Sequence, residues 1–182
     1  MAAARKSLGA RTIFNLLGPL ANPAGTRLQL LGVFDQKWVR PMAETLKSLG
    51  SKRAWVVHGS DGMDEITLAG PTFCAKLQDD GSIEETTLMP DDFGLPIYEA
   101  PDALQGGDAQ FNAMALRALL QGKDGAYRDT VLANTAAVLV IHGSAPDLKT
   151  GVARATEAID SDAAQSLLRD YIAFTRSIDD SL

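Results

Sequence analysis

The sequence has very little cysteine and no long apolar run. Its single cysteine, Cys74, cannot form an intramolecular disulfide, which indicates a reducing compartment such as the cytoplasm. No stretch of about 18 apolar residues is present, so the sequence predicts neither a membrane-spanning helix nor a secretory signal. Because Cys74 lies in the apolar run TFCAKL, we expect a buried small hydrophobic residue rather than a reactive thiol.

Basic residues are also scarce. Seventeen Lys and Arg residues against 23 Asp and Glu residues give a net charge of −6, which argues against the basic face that non-specific nucleic-acid binding needs. The glycine-rich phosphate-binding patterns G-x-G-x-x-G and G-x-x-x-x-G-K-[ST] do not occur. A strongly anionic ligand would therefore need a metal ion, or basic groups from elsewhere, to be bound by this chain.

The apolar pattern that is present predicts an α/β protein, with helices packed on a parallel-type sheet. Strand, helix and strand follow one another over 28–34, 38–49 and 53–59, which is the spacing of a βαβ crossover. We expect a single domain over 1–178 and a disordered tail over 179–182. Before the first strand we expect two short helical pieces, broken at Gly18-Pro19 and Asn22-Pro23. After the second strand we expect a hairpin over 72–89 that turns at Asp80-Gly81, and then an irregular loop over 89–107. Helices are expected within 108–122, 125–143 and 147–177, and the last of these regions should contain two helices that meet near Asp160-Ser161.

An acidic stretch, HGSDGMDE at 58–65, directly follows the second predicted strand. In an open parallel sheet, ligands bind beyond the carboxyl ends of the strands. The adjacent carboxylates Asp64 and Glu65, with Asp61 nearby, suit a hard cation such as Mg²⁺, which takes one or two carboxylates and completes its shell with water and phosphate oxygens. The alternative is a solvated turn in which Asp61 merely caps the backbone.

Other polar candidates have simpler structural explanations. His58 ends a strand and His142 ends an apolar helix, and neither has a nucleophile beside it in the sequence, so structural roles are favoured for both. Gly106-Gly107 precedes a helix whose N-terminus could face an anion, although a plain loop-to-helix junction explains it as well. Arg11 lies in GARTIFNLLGPLANPAG and could bind a carboxylate through two hydrogen bonds, or simply face the solvent.

Three stretches together resemble anthranilate phosphoribosyltransferase: LGARTIFNLLGPLANPAG, VVHGSDGMDEITLAGPT and GGDAQFNAMALRALLQGKDGAYRDTVLANTAAVL. The resemblance extends over residues 8–175 and implies the C-terminal portion of a nucleoside phosphorylase/phosphoribosyltransferase-like α/β domain, similar to glycosyltransferase family 3. It also implies transfer of the phosphoribosyl group of 5-phosphoribosyl 1-diphosphate to the amino group of anthranilate, the second step of tryptophan biosynthesis. Members of that family use Mg²⁺, and they are usually cytoplasmic homodimers.

The resemblance also implies roles for individual residues. Asp64 and Glu65 match the family's paired acids that hold Mg²⁺ on the diphosphate, and Arg11 matches the arginine that meets anthranilate. No catalytic acid or base is implied, because the loss of diphosphate from an oxocarbenium-like centre depends on positioning and charge neutralisation.

The sequence departs from the family in length. The family's enzymes are roughly twice as long, and their GTGGD, N-x-S-T and KHGNR-type segments do not occur here. We therefore expect the chain to act with a missing N-terminal half, and to be inactive and prone to associate when isolated, through a face that includes Ile13, Phe14, Leu16 and Leu17. The alternatives are a nucleic-acid-binding protein of the same fold and an interaction protein that depends on a partner.

Overall fold

The computed structural model describes residues 14–99 and 104–179 of the chain. These residues form four strands and six α-helices, together with 3-10 helices at Gln36–Trp38 and Pro90–Phe93. The strands are β1 (Leu28–Gly32), β2 (Arg53–Gly59), β3 (Thr72–Leu77) and β4 (Ile83–Leu88). The helices are α1 (Phe14–Leu20), α2 (Val39–Ser48), α3 (Ala109–Leu120), α4 (Ala126–His142), α5 (Leu148–Asp160) and α6 (Ala163–Asp179).

The four strands form one sheet in the order β1-β2-β3-β4. β1 and β2 are parallel and are joined through α2, as the predicted βαβ unit requires. β3 and β4 are an antiparallel hairpin that turns at Gly81, and β3 pairs antiparallel with β2. The predicted α/β class is confirmed, and the hairpin makes the sheet mixed rather than parallel throughout.

The sheet is covered on both faces, which explains why β2 is almost continuously apolar. Ala54 and Val56 face α2, whereas Trp55 and Val57 face α4, because successive side chains of a strand point to opposite faces. α4 approaches the sheet with alanines at 133, 136 and 137, all fully buried. α5 crosses α4 at Gly151, where a Cβ atom would lie 2.8 Å from the Cα atom of Ala136.

Side chains and glycines cap the ends of several helices. The Asp108 side chain accepts a hydrogen bond from the Phe111 amide at the start of α3, and the Asp147 side chain accepts one from the Thr150 amide at the start of α5. Gly143, with φ of +84°, ends α4 in the left-handed conformation that glycine adopts without strain. The two C-terminal helices meet at residues 161–162, next to the predicted position.

Three expectations about the chain path were wrong in detail. α1 includes Pro19 and ends one residue later, at Leu20, instead of breaking at Gly18-Pro19; Pro19 lacks the amide hydrogen that would bond the carbonyl one turn earlier, and the helix does not extend beyond the next residue. β1 ends at Gly32, two residues earlier than predicted. The segment 89–107, expected to be irregular, includes the 3-10 helix Pro90–Phe93, whose Phe93 side chain is buried in the core.

Large apolar side chains remain exposed at the C-terminal end and near α1. Leu167, Tyr171, Phe174 and Ile178 are exposed along α6 at helical spacing. Leu17 is exposed, while the side chains of the other three residues of the expected association face lie outside the described part of the chain. No helix within the described residues is long and apolar enough to cross a membrane. α6 includes Asp179, the first residue of the tail expected over 179–182, and residues 180–182 lie outside the part of the chain that the structure describes.

Candidate metal and substrate site

The acidic stretch forms a closed loop between β2 and β3, which we call the acid loop (residues 60–71). Two backbone hydrogen bonds close its base, from the Gly59 amide to the Met63 carbonyl at 2.8 Å and from the Ser60 amide to the Pro71 carbonyl at 2.9 Å. Gly62, with φ of +91°, provides the turn between them. The glycines at 59 and 62 therefore shape the loop itself.

The glycine that gives room is Gly32, at the carboxyl end of β1. A Cβ atom at this position would lie 1.5 Å from the backbone carbonyl oxygen of Asp64. Because the obstacle is backbone, any side chain at residue 32 would push the acid loop away from the sheet. Gly32 thus fixes the paired acids directly above the ends of the two parallel strands.

Asp64 and Glu65 lie beside a cavity of about 290 Å³ between these strand ends and α4. Both acids are exposed. The pKa of Glu65 is nevertheless raised, first by partial desolvation of its carboxyl group and then by the negative charge of Asp64. A cation between the two carboxylates would remove this repulsion. The remaining lining residues are Leu30, Gly32, Val57, Thr130, Val131, Asn134 and Thr135.

The chemistry of this cavity fits Mg²⁺ brought by a phosphate ligand. Mg²⁺ binds through one or two carboxylates and keeps water or phosphate oxygens as its other ligands. Within the described part of the chain, no three His, Cys, Asp or Glu side chains come together to hold a metal, and Asp64 and Glu65 provide two carboxylates, so the other ligands would have to come from water and the phosphate ligand. Thr130 is buried in the cavity wall, and its hydroxyl oxygen has no hydrogen-bond partner among the described residues, so it could contact a metal-bound water or the ligand.

Asp61 belongs to the loop framework and not to this cavity. Its carboxylate accepts hydrogen bonds from the Thr67 hydroxyl at 2.7 Å and from the Met63 amide at 3.2 Å. The Thr67 hydroxyl in turn accepts a hydrogen bond from the Ala69 amide. The capping role that the sequence left open for Asp61 is therefore the one observed.

Asn134 is a functional candidate that sequence reasoning missed. From α4, its side chain accepts a hydrogen bond from the Ile66 amide at 3.0 Å and donates to the Ile66 carbonyl at 3.1 Å. It also donates to the Thr130 carbonyl at 2.9 Å, one turn back along the helix. The only signal in the sequence was an amide within the apolar helix TVLANTAAVL. Asn134 attaches the residue after Glu65 to α4.

A second asparagine makes a similar contact far from the acids along the chain. The Asn112 side chain, on α3, accepts a hydrogen bond from the Gly107 amide at 2.9 Å and donates to the Gly107 carbonyl at 3.0 Å. The Gly106-Gly107 segment is therefore engaged in a loop-to-helix junction, as one of the two interpretations expected.

The histidines and the cysteine have structural roles. His58 Nδ1 lies 2.8 Å from the Val33 carbonyl oxygen, and His142 Nδ1 lies 2.6 Å from the Ser144 hydroxyl. Cys74 is buried, and burial raises the pKa of its thiol to about 12, so it is not a nucleophile at neutral pH. Arg11 lies outside the described residues, so its expected contact with anthranilate stays a prediction.

Residues 1–165 match the family described as "Glycosyl transferase family, a/b domain". The chain belongs to this family. Curated relatives named anthranilate phosphoribosyltransferase include that of Rhodospirillum rubrum, 58% identical over 173 residues, and that of Rhodopseudomonas palustris strain TIE-1, 57% identical over 169 residues. The alignments cover 95% and 93% of this chain and 49% of each relative. The chain thus spans about half the length of the curated relatives it matches.

Solved structures in the same family have the same fold over this span. The crystal structure of anthranilate phosphoribosyltransferase from Thermus thermophilus gives a TM-score of 0.83 at 41% identity, covering 97% of this chain and 51% of that one. The Saccharomyces cerevisiae enzyme in complex with PRPP and Mg gives 0.84 at 27% identity, covering 97% and 50%. The resemblance predicted from the sequence is confirmed.

Proposed function

We propose that this chain contributes to phosphoribosyl transfer from 5-phosphoribosyl 1-diphosphate to anthranilate, in tryptophan biosynthesis, as the part of the enzyme that holds Mg²⁺. The observation that carries the proposal is the position of Asp64 and Glu65. They stand together at the carboxyl ends of parallel strands, beside a cavity that contains the buried hydroxyl of Thr130. The relatives named for this activity support it.

The proposed role of the acids is electrostatic. With a net charge of −6, the chain repels an anionic diphosphate unless a cation lies between them. When bound, Mg²⁺ supplies the positive charge that stabilises the departing diphosphate. Asp64 and Glu65 would hold that charge, and Gly32 would keep their backbone in place. Because His58 and His142 are engaged in structural contacts, positioning and charge neutralisation are the proposed sources of rate, without a side-chain acid or base.

We propose Arg11 for the second substrate. An arginine binds a carboxylate through two parallel hydrogen bonds, which is the geometry that anthranilate offers. The support for this assignment is the matching stretch GARTIFNLLGPLANPAG.

We also propose that activity requires the part of the enzyme that the relatives have and this span does not cover. The relatives are about twice as long as the matched region, and the phosphate-binding glycine patterns do not occur in this sequence. A cytoplasmic homodimer that includes this second part is the proposed working form.

The test is reconstitution. The full chain would be co-expressed with the part of the Rhodospirillum rubrum relative that it does not span, and anthranilate consumption would be followed by fluorescence over a magnesium series. We expect the double variant Asp64→Asn, Glu65→Gln to lose about 100-fold or more of the rate, as removal of a main electrostatic group does.

The matched control is the double variant Glu84→Gln, Glu85→Gln. It removes the same charge from two adjacent exposed acids on β4, where Glu85 makes only a surface ion pair with Arg40. We expect it to keep the rate and the magnesium dependence. Equal losses in the two double variants would show that Asp64 and Glu65 act through overall charge, and the proposed site would be wrong.

A further inference from the structure

Within the described residues, the side chain of Asn134 makes the hydrogen bonds that join α4 to the acid loop, while Ile66 and Leu68 of the loop share an apolar core with the alanines of α4. The amide oxygen and nitrogen of Asn134 bond both backbone groups of Ile66, and the nitrogen also bonds the Thr130 carbonyl. The two hydrogen bonds to Ile66 join residues 68 positions apart in the chain. Ile66 follows Glu65 directly, so the path of the Glu65 backbone depends on this contact.

The acid loop is held in place from two sides, by the strands and by α4. On the strand side, the Asp64 carbonyl rests against Gly32, which stops the loop from moving inward. On the helix side, Asn134 stops Ile66 from moving outward, and both Asn134 and Thr130 line the same cavity as the acids. The side-chain hydrogen bonds of Asp61 lie within the loop and would move with it. Beyond Ile66, the Thr67 amide donates to the Thr72 hydroxyl on β3, and the Leu68 carbonyl accepts a hydrogen bond from the Tyr98 amide, so these bonds hold the far side of the loop and not the side next to the acids.

We propose that Asn134 is a positioning residue for the cation site: it fixes the separation between the paired acids and the Thr130 side of α4, and thereby sets the affinity for the divalent cation. This inference rests on the proposed function of Asp64 and Glu65. Asn134 itself would not contact the metal. It acts through Ile66, in the way that outer partners of a metal site orient the ligands.

The experiment uses Mn²⁺ alone as the probe and the full 182-residue chain, so that it does not depend on turnover. Binding would be measured from the paramagnetic broadening of backbone amide signals in a Mn²⁺ titration. For the unaltered chain we expect broadening at residues 64–66 and 130–135. Asn134→Ala should weaken the Mn²⁺ affinity about tenfold, the lower end of the loss seen when an outer partner is removed.

Asn112→Ala is the matched control. It removes the same pair of side-chain bonds to one backbone unit, at Gly107 instead of Ile66. We expect its Mn²⁺ affinity to be unchanged. Hydrogen exchange of the Ile66 amide gives the second readout, and it should become faster in Asn134→Ala and not in Asn112→Ala. Asn134→Ser, which removes the amide but keeps a small polar side chain, replaces the alanine variant if that variant does not fold.

The outcomes separate the two proposals. If the unaltered chain binds Mn²⁺ at residues 64–66 and Asn134→Ala or Asn134→Ser binds it equally well, the positioning role is overturned while the metal site stands. If the unaltered chain shows no broadening at those residues, the metal assignment fails, and the positioning role fails with it. Equal weakening in the Asn134 and Asn112 variants would indicate a general loss of structure and would also overturn the inference.

Discussion

Two asparagine side chains each bind one backbone unit of a loop, yet their surroundings differ. Asn134 reaches across 68 positions to a partly buried site, whereas Asn112 reaches five positions back to an exposed one. The first joins separate elements and can be satisfied only when β1, β2 and α4 are packed together. The second completes a local junction ahead of its own helix. Similar hydrogen bonds therefore hold a tertiary site in one place and a helix entry in the other.

The largest expected change in the free energy of unfolding is at the glycines that lie against the two asparagine-bound loops, Gly32 and Gly106. Gly32→Ala would place a Cβ atom against the Asp64 carbonyl, and we expect it to lower the free energy of unfolding by about 3 kcal/mol, the upper end for overpacking. Gly106→Ala would meet only the tip of the Asn112 side chain at 3.3 Å, and should cost less than about 1 kcal/mol. Urea unfolding of both variants measures this. Equal losses of unfolding free energy in the two variants would mean that the acid loop moves to accommodate an added Cβ atom as readily as the exposed junction does.

The next largest change in unfolding free energy is expected when the two asparagines themselves are replaced. Asn134→Ala leaves the Ile66 backbone groups without partners in a partly buried place, and we expect a loss of about 2 kcal/mol of unfolding free energy. Asn112→Ala leaves exposed groups that water can satisfy, so we expect a loss below about 1 kcal/mol. Denaturant titrations of the two variants, in which unfolding free energy depends on denaturant concentration with the same slope, would compare these losses. A larger loss at Asn112 would contradict this account of burial.

A smaller effect is expected at Thr130, and its sign is opposite. Thr130→Val replaces a buried hydroxyl that has no partner among the described residues with a methyl group of similar shape. We expect stability to rise by up to about 1 kcal/mol, because an unsatisfied buried polar group is removed. Mn²⁺ binding should weaken at the same time. A stabilised variant with unchanged Mn²⁺ binding would show that the hydroxyl has no part in the cation site.

The smallest effect is the pH dependence due to Glu65. Its folded-state pKa is raised by desolvation and by Asp64, so the folded chain binds more protons than the unfolded chain at pH values just above the ordinary pKa. Stability should therefore fall as the pH rises through that window. Glu65→Gln should flatten this part of the curve of unfolding free energy against pH. An unchanged slope would indicate that Glu65 titrates as if fully in water.

Much of the fold could be predicted because its signals are local. The continuous apolar run of RAWVVHG, the Asp80-Gly81 turn and Gly143 at the end of the third predicted helical stretch each act over a few residues, and the strand, hairpin and helix end appear as expected. Pro19 shows the limit of such signals. A proline lacks an amide hydrogen and disturbs the turn before it, yet α1 includes Pro19 and ends one residue later, at Leu20.

The candidate site was predictable only in part. Asp64 and Glu65 could be placed because residues after parallel strands meet at one sheet edge. Asn134 and Thr130 could not, because polar residues in an apolar helix have no local partner and their importance depends on which loop packs against them. The crowding at Gly32 has the same origin, since its neighbour Asp64 is 32 positions away in the sequence.

The burial of Cys74 has a practical consequence for spectroscopy. As the sole cysteine, fully packed and with a thiol pKa raised to about 12, it should not react with maleimide reagents while the chain is folded. The unaltered chain is in effect a cysteine-free background. A single cysteine introduced at the exposed residue Ser60 could thus carry a fluorophore or spin label, and the movement of the acid loop could be followed without first removing the native thiol.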